Sequence, residues 1–437
     1  RFEGHPPLWH LVIWPVARLS SNVELMKGVT LLLATVFGAL VALGRGVPVL
    51  LRPLLLAGFL PVFGYGVLSR PYILGLVLLF SWLELYAIEL RAGRSTLQWR
   101  AVVALLLGMT HLMFTVVAAG LLAGEFLAGL RRDAHRRRQF VTWSVGAALV
   151  LLAFTLLFLP DSDSAFIPGD LRVEALTAQS IASGLVESAG EIPRTPDILV
   201  LVLVGSLIVA GTFIDPARSV PIGAAILVLI ANSLVGYGGA WWHNGVTTFA
   251  ILSLGFIAYL RHFPYGAGNL AEHRARLAIV LLIVPLLAGQ IFAARDWYET
   301  SGQLPYSAGK EAATIVEQWC RPVCPLVVDR SPSGSTVIAY LGAQPAYRLN
   351  DRREGTFAIW DSRHNTDEAT WEALKEALEG RGRRAVGVVS ELREPPPELI
   401  VLGRTGPAVR DDEEFLVVTL APPNSTLSNV GSDSARR

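Results

Sequence analysis

Along most of its length the chain sets long apolar runs between short polar interruptions, and the runs stay apolar from residue to residue instead of alternating. A membrane-crossing strand alternates apolar and polar positions, so this pattern predicts helices and not a barrel. Ten runs can be marked: Val23 to Leu43, Pro53 to Leu68, Pro71 to Leu90, Trp99 to Met109, Met113 to Leu130, Phe140 to Leu159, Ile198 to Ile214, Val220 to Val235, Val246 to Leu260 and Leu277 to Ala294. Crossing a hydrocarbon core of roughly 30 Å takes about 20 helical residues, the scale of these segments. Trp99 to Leu130 is too long for one straight span, and it predicts two short helices turning near Thr110 and His111.

Past Arg295 the pattern changes to charged and Pro-rich sequence with apolar runs of strand length. These lie at Leu326 to Val328, Thr356 to Trp360, Ala385 to Val389, Leu399 to Leu402 and Phe415 to Leu420. Asp367 to Glu379 reads as a helix, with Asn365 or Thr366 as its N-cap and acidic residues in its first turn. The expected fold is therefore a polytopic α-helical membrane domain over residues 1–295, followed by a small α/β domain over 296–420. Residues 421–437, rich in Pro, Ser and Asn, are expected to be a disordered tail.

Composition agrees: 52% of the 437 residues are hydrophobic and 17% charged, more apolar than an ordinary soluble domain of this size requires. The net charge of +1 says nothing about partners. The distribution of Arg and Lys says more. The loop bearing Arg131, Arg132, Arg136, Arg137 and Arg138 is the most basic, which places it in the cytoplasm. Counting crossings from it adds Arg45, Arg52, Arg91, Arg94, Arg100, Arg218, Arg261, Arg274 and Arg276 to that side, fourteen in all. The opposite side keeps six: Arg1, Arg18, Lys27, Arg70, Arg172 and Arg194. The expectation is a multi-pass protein of the inner (plasma) membrane with its C-terminal domain extracytoplasmic. The chain opens without a cleavable signal pattern, so either a helix precedes it upstream or insertion begins with Val23.

Cys320 and Cys324 lie five residues from end to end in Trp319-Cys320-Arg321-Pro322-Val323-Cys324-Pro325. An extracytoplasmic setting permits a local disulfide, while the spacing alone leaves two reduced, buried thiols open. A metal site there would need ligands that are not near in sequence. Short-period repeats, a phosphate-binding glycine loop, a Cys/His zinc pattern and a basic stripe with interleaved aromatics are all missing from the sequence, so nucleic acid is not an expected partner.

The chain begins with a polar knot, Glu3-Gly4-His5-Pro6-Pro7-Leu8-Trp9. Proline is tolerated in the first turn of a helix, so Pro6 and Pro7 start the amphipathic segment Leu8 to Leu19, with Trp9 and Trp14 suited to the interface. That segment is too short, and too broken by Pro15, to cross. It would lie along the outer leaflet and hold Glu3 and His5 at the surface. One hairpin later comes Ser69-Arg70-Pro71-Tyr72-Ile73-Leu74-Gly75. Together these motifs resemble the protein-mannosyltransferase and aminoarabinose-transferase type of membrane glycosyltransferase, the GT-C superfamily, and in particular bacterial members that read EGHPPLWY and ARSYALG at these places. The turn at Thr110-His111, His243 and the soluble C-terminal domain fit the same plan.

The resemblance implies transfer of a sugar from a polyprenyl-phosphate carrier to a lipid, glycan or protein acceptor at the outer face. It also implies an Asp-Glu pair supplying the general base, expected upstream of the Glu3 to Trp9 knot and beyond the start of the chain. Within the chain, Glu3 and His5 are the catalytic candidates, to orient the acceptor or assist that base; the alternative is that they anchor the interfacial helix. Arg70, with Tyr72 beside it, would stabilise the leaving phosphate, or else be a snorkelling arginine. His111 could donate a hydrogen bond to that phosphate, or be a satisfied structural histidine. His243 with Trp241, Trp242 and Asn244 could stack on and bond a sugar, or belong to an aromatic belt. No cofactor is assigned, and a divalent metal is left open. Glu84, a charge inside a span, is best explained by pairing with a neighbouring helix. The loop from Asp161 to Asp197 reads as a lid or as a surface loop. Two other classes remain, a lipid or solute transporter and a non-catalytic scaffold.

Overall fold

The computed structural model describes residues 6–20, 22–67, 70–158, 197–235, 241–261, 270–320, 323–356, 370–382, 384–390 and 394–421. Eleven α-helices precede the α/β domain among these residues: α1 (Leu8–Leu19), α2 (Glu24–Leu43), α3 (Arg52–Leu56), α4 (Tyr72–Ala92), α5 (Leu97–Gly108), α6 (Leu112–Leu130), α7 (Ala134–Leu157), α8 (Asp197–Ile214), α9 (Pro216–Val235), α10 (Trp241–Arg261) and α11 (Leu270–Ser301). Six of them are long and apolar enough to cross a bilayer, the architecture of a helical membrane protein. The expected lid 161–196 and the tail 422–437 lie outside the described residues.

The chain breaks between α5 and α6 where the sequence predicts. Thr110 Oγ1 donates to the Leu107 carbonyl and Thr115 Oγ1 to the Gly108 carbonyl, both at 2.7 Å, which satisfies carbonyls that α5 leaves open. His111 then caps α6, its Nδ1 accepting the Met113 N–H at 3.2 Å.

Three expectations for the helical part need correction. Pro53 to Leu68 is not one continuous span. It is a 3₁₀ turn (Val49–Leu51), the five-residue α3 and a π-helical turn (Leu60–Gly64). Pro61 removes a backbone donor and Gly58, Gly64 and Gly66 weaken the helix, while Gln290 Oε1 of α11 accepts the Leu60 N–H at 3.2 Å. Next, α7 starts at Ala134 and not at Phe140, because Asp133 caps it by accepting the Arg136 N–H at 3.0 Å. Arg136 to Arg138 therefore belong to the first turns of a helix and not to a loop. Finally, α11 continues to Ser301, so the expected boundary at 295 falls inside a helix.

Glycines set how closely the helices approach. A Cβ on Gly75 of α4 would come within 2.5 Å of Phe114 Cδ2 and Cζ on α6. Gly120 and Gly124 of α6 lie against α9, where a Cβ would meet the Pro221 carbonyl oxygen at 3.1 Å and Arg218 Cα at 3.0 Å.

The C-terminal part is an α/β domain. Six strands, β1 (Leu326–Val328), β2 (Ala346–Arg348), β3 (Arg353–Gly355), β4 (Val386–Val389), β5 (Leu399–Arg404) and β6 (Leu416–Leu420), form a sheet in the order β3-β2-β1-β4-β6-β5. β1 runs parallel to β2 and β4, and the other pairings are antiparallel. Side chains alternate as the pleat requires. Leu326 and Val328 pack with α12 (Gly309–Trp319) and α13 (Ser331–Tyr340), whereas Val327 packs with α14 (Trp371–Glu379). Thr370, not Asn365 or Thr366, caps α14 by accepting the Ala373 N–H at 3.2 Å; residues 357–369, including most of the expected strand Thr356 to Trp360, lie outside the described residues. Cys320 and Cys324 form a disulfide with Cα atoms 5.0 Å apart.

Candidate functional site

At one end of the bundle three helices begin with their polar side chains turned to one another. Tyr72 is the first residue of α4, His111 is the N-cap of α6, and His243 lies in the first turn of α10. Their rings gather although they are far apart in sequence. The Tyr72 and His111 centroids are 5.0 Å apart, those of His111 and His243 5.5 Å, and those of Tyr72 and His243 5.9 Å. Tyr72 Oη and His111 Nε2 are hydrogen-bonded at 3.2 Å. All three side chains are buried, as is Asn244.

The backbone makes this convergence possible. Gly75, one turn below Tyr72, lets α4 press on Phe114 of α6. On the far side Tyr65 stacks on Tyr72, with centroids 5.0 Å apart and planes 16° apart, and its hydroxyl lies against the α10 backbone at Gly245. A Cβ on Gly245 would come within 2.8 Å of Leu60 Cδ2 and 3.0 Å of Tyr65 Cζ. Helix N-termini carry partial positive charge and unsatisfied N–H groups, so the beginnings of α4, α6 and α10 make this end favourable to an anion.

The start of α1 docks here too. The Leu8 N–H donates to the Met109 carbonyl at 3.1 Å, which fixes the first turn of α1 beside the His111 turn. Glu3 and His5 themselves lie outside the described residues, as do Ser69 and the side chains of Trp241 and Trp242. Arg70 is at this end of α4, and its charge acts on Tyr306 and Glu413 of the α/β domain. Burial pushes the Tyr306 hydroxyl and the Glu413 carboxyl upward, opposed at both by Arg410 and Arg70. The sequence pattern set Arg70 beside Tyr72 at the membrane surface; its electrostatic neighbours include groups of the α/β domain.

That domain sits on the same end. Lys27 Nζ of α2 donates to Tyr340 Oη at 3.2 Å, and Lys310 Nζ of α12 bonds Glu24 of α2 at 3.2 Å. The linker Pro305 to Ala308 is held by bonds from Val409 N to the Pro305 carbonyl, from Arg410 N to the Tyr306 carbonyl and from Ala308 N to the Glu413 carbonyl, at 2.9, 3.2 and 3.1 Å.

The opposite end of the bundle carries a buried charge network that the sequence pattern does not assemble. Glu125 of α6 bonds Arg100 of α5 and, at 3.1 and 3.2 Å, Arg218 of α9. Arg100 also bonds Glu89 at 2.8 Å, and Arg218 bonds Asp215 at 2.9 Å. Tyr86 donates to Asp215 at 3.2 Å and lies under both guanidinium groups. Glu84, singled out as an intramembrane charge and expected to pair with a neighbouring helix, is held by a turn instead. Its carboxylate accepts the Arg45 and Gly46 N–H groups of the turn after α2, the latter at 2.8 Å.

Sequence reasoning missed Tyr65 and Gln290. Signals for both existed, a tyrosine between Gly64 and Gly66 and a glutamine inside the apolar run Leu277 to Ala294. Among the described residues no group of three or more His, Cys, Asp or Glu side chains is placed to hold a metal ion. Comparison of the chain with protein-family models, with curated proteins and with solved structures finds no match.

Proposed function

We propose that the protein is a membrane glycosyltransferase that moves a sugar from a polyprenyl-phosphate carrier to a lipid, glycan or protein acceptor at the outer face of the inner membrane. In this reading the ten apolar runs, including the interrupted stretch around Leu60, form the GT-C-like membrane domain, and the α/β domain is extracytoplasmic. The observation that carries the reading is the convergence of Tyr72, His111 and His243 at three helix N-termini. A departing phosphate gains negative charge, and donors and helix dipoles fixed in a site of low dielectric stabilise it without reorganisation. Tyr72 and His111 serve the phosphate, His243 and Asn244 the sugar, with Trp242 as a stacking partner. Arg70 adds a cation at the rim. Glu3 and His5 lead into α1, whose first turn is tied to Met109 beside His111. They are assigned to the acceptor, with the general base expected upstream and a divalent metal left open.

The test is sugar transfer by the full-length protein in membranes, using a polyprenyl-phosphate sugar labelled in the sugar, with and without a chelator. His243→Ala, at wild-type abundance, is expected to lower turnover by about tenfold or more, the scale of a lost buried hydrogen-bond partner, and Arg18→Ala, at the exposed end of α1, to leave it near wild type. A His243→Ala protein as active as wild type would remove this cluster from the chemistry.

A further inference from the structure

The α/β domain is seated on the end of the bundle where Tyr72, His111 and His243 gather, and it is held there differently from the way either part is held together. Buried apolar side chains make one cluster in the bundle, from Phe37 to Leu287, and two in the domain, beginning at Ala308 and Val327. Among the described residues none of these clusters spans the two parts. The bonds that do cross are polar and exposed. Glu24, the first residue of α2, pairs with Lys27 of its own helix at 2.9 Å and with Lys310 of α12 at 3.2 Å. Lys27 Nζ also donates to Tyr340 Oη at 3.2 Å, and the two ammonium groups lie over the Tyr340 ring, 5.8 and 6.0 Å from its centroid. Both lysine side chains are more than half exposed. Exposed pairs of this kind hold weakly and are screened by salt. The influence of Arg70 on Tyr306 and Glu413 is electrostatic as well.

The covalent connection is equally local. Up to Ser301 the chain is α11, and from Pro305 onward it is bonded into the domain at Val409, Arg410 and Glu413. Gly302, Gln303 and Leu304 lie between, the first two exposed. Gly302 closes α11 by donating to the Tyr298 carbonyl at 2.9 Å, where a Cβ would come within 2.4 Å of that oxygen. A few residues at the end of an element are what a hinge requires. Movement about them strands no charge, because Glu24 gives up Lys310 and keeps Lys27, while water reaches the freed lysine.

We propose that the α/β domain is a hinged cap on this end of the bundle, swinging on Gly302 to Leu304 and held shut by Glu24, Lys27, Lys310 and Tyr340 as an ionic catch. Parts of one chain that share no large apolar interface move relative to each other by default. The motion stands apart from the transferase reading, which enters only in what the open cap admits, the substrates of sugar transfer.

The test measures distances between spin labels in the purified full-length protein in detergent. One pair of labels, on Arg45→Cys and Gln318→Cys, joins the exposed turn after α2 to the exposed face of α12; a control pair, on Arg45→Cys and Ala134→Cys, stays within the bundle. Raising salt from about 0.1 to 1 M shortens the screening length from about 10 to 3 Å. A second distance population of the first pair is expected to grow by up to about fivefold, the scale of one exposed ion pair. Lys310→Glu sets like charges together, at a helix N-terminus that accepts glutamate, and should shift the distances at low salt at least as far. Glu24→Lys combined with Lys310→Glu should restore the closed distance, and the control pair should hold throughout. One unchanging distance in wild type and Lys310→Glu alike would overturn the cap. A shift that the charge exchange does not reverse would overturn the catch.

The sequence has three lysines, Lys27, Lys310 and Lys375, so a short amine-reactive cross-linker that joins Lys27 to Lys310, identified by mass spectrometry, locks the cap shut. Sugar transfer is expected to fall in proportion to the cross-linked fraction, and a monofunctional reagent of the same chemistry should not lower it. Transfer that survives complete cross-linking would overturn gating by the cap. A wild type that shows both distance populations and transfers no sugar supports the cap and removes the transferase reading alone.

Discussion

Replacing Gly75 by alanine isolates the contact that brings Tyr72 to His111. The added methyl would sit 2.5 Å from Phe114 Cδ2 and Cζ, where carbon atoms at rest are about 3.5 to 4.0 Å apart. A gap of about 1 Å or more must open. Gly75 is closed in on this side by a ring at the centre of the core, so the methyl has no free side to occupy. Overpacking of this kind costs about 1 to 3 kcal/mol. Tyr72 is one turn above on the same helix, and a shift of that size would carry its 3.2 Å bond to His111 beyond hydrogen-bond range. Gly75→Ala should therefore lose both stability and lipid-phosphate binding. Gly38→Ala on α2 and Gly146→Ala on α7 are the controls, because a Cβ at either position meets nothing within 4 Å. Both should be neutral or stabilising by up to about 1 kcal/mol, since alanine is the better helix former. Phe114→Leu should restore part of what Gly75→Ala loses, a coupling read from thermal unfolding in detergent of the two single variants and the double. A Gly75→Ala protein as stable as the Gly38→Ala control, with no coupling to Phe114, would refute the reasoning.

Glu125→Ala leaves two buried guanidinium groups each short of a carboxylate and should destabilise the membrane domain by about 3 to 5 kcal/mol; Glu125→Gln keeps the shape while Glu89 and Asp215 still pair the arginines, so a smaller loss is expected in denaturant unfolding, and equal losses would contradict that division. Burial raises the Glu413 carboxyl above its ordinary value of 4.5, so the folded protein holds that proton longer than the unfolded chain, and stability falls as pH rises from about 4.5 through the raised value. Glu413→Gln should match wild type below that window and gain on it above; melting curves that stay parallel as the pH rises from about 4.5 would exclude the linkage. Cysteines introduced at the exposed positions Lys310 and Ala134 should be reached by an impermeant reagent from opposite sides of intact membranes, Lys310 from outside. Labelling of Ala134 from outside and of Lys310 from inside would reverse the orientation.

The parts of this architecture that depend on local pattern were legible in the sequence. Apolar runs gave the helices, the Thr110-His111 break was visible because the 32 residues from Trp99 to Leu130 are too many for one straight span, and β1 was marked at its observed bounds, with β4, β5 and β6 within two residues of theirs. Strands β2 and β3 are three residues each, too short for any alternation to register. Helices α12 and α13 were hidden because Pro, Gly and Ser punctuate their surroundings. The interrupted stretch around Leu60 was misread as a span because apolarity alone does not reveal that its freed Leu60 N–H is met by Gln290, 230 residues away. The candidate site was legible as a set of residues, Tyr72, His111 and His243, but not as one cluster of rings, which forms only because three helices far apart in sequence begin side by side. The charge network was illegible for a similar reason. Glu125 and Arg218 are 93 residues apart, and only the close approach allowed by Gly124 brings them together.

That network also bears on how the protein enters the membrane. Arg100 and Glu125 lie on consecutive helices, α5 and α6, so a hairpin inserted as one unit carries a guanidinium already neutralised by a carboxylate. An unpaired charge within an inserting segment opposes insertion, and pairing removes much of that barrier. Arg218 has a companion of its own, since Asp215 lies one turn before it at the start of α9. The chain can thus be threaded into lipid in two pieces, each close to electrically neutral. Their union waits until α9 reaches α6, when Glu125 takes Arg218 as a second partner and locks together segments made far apart in time.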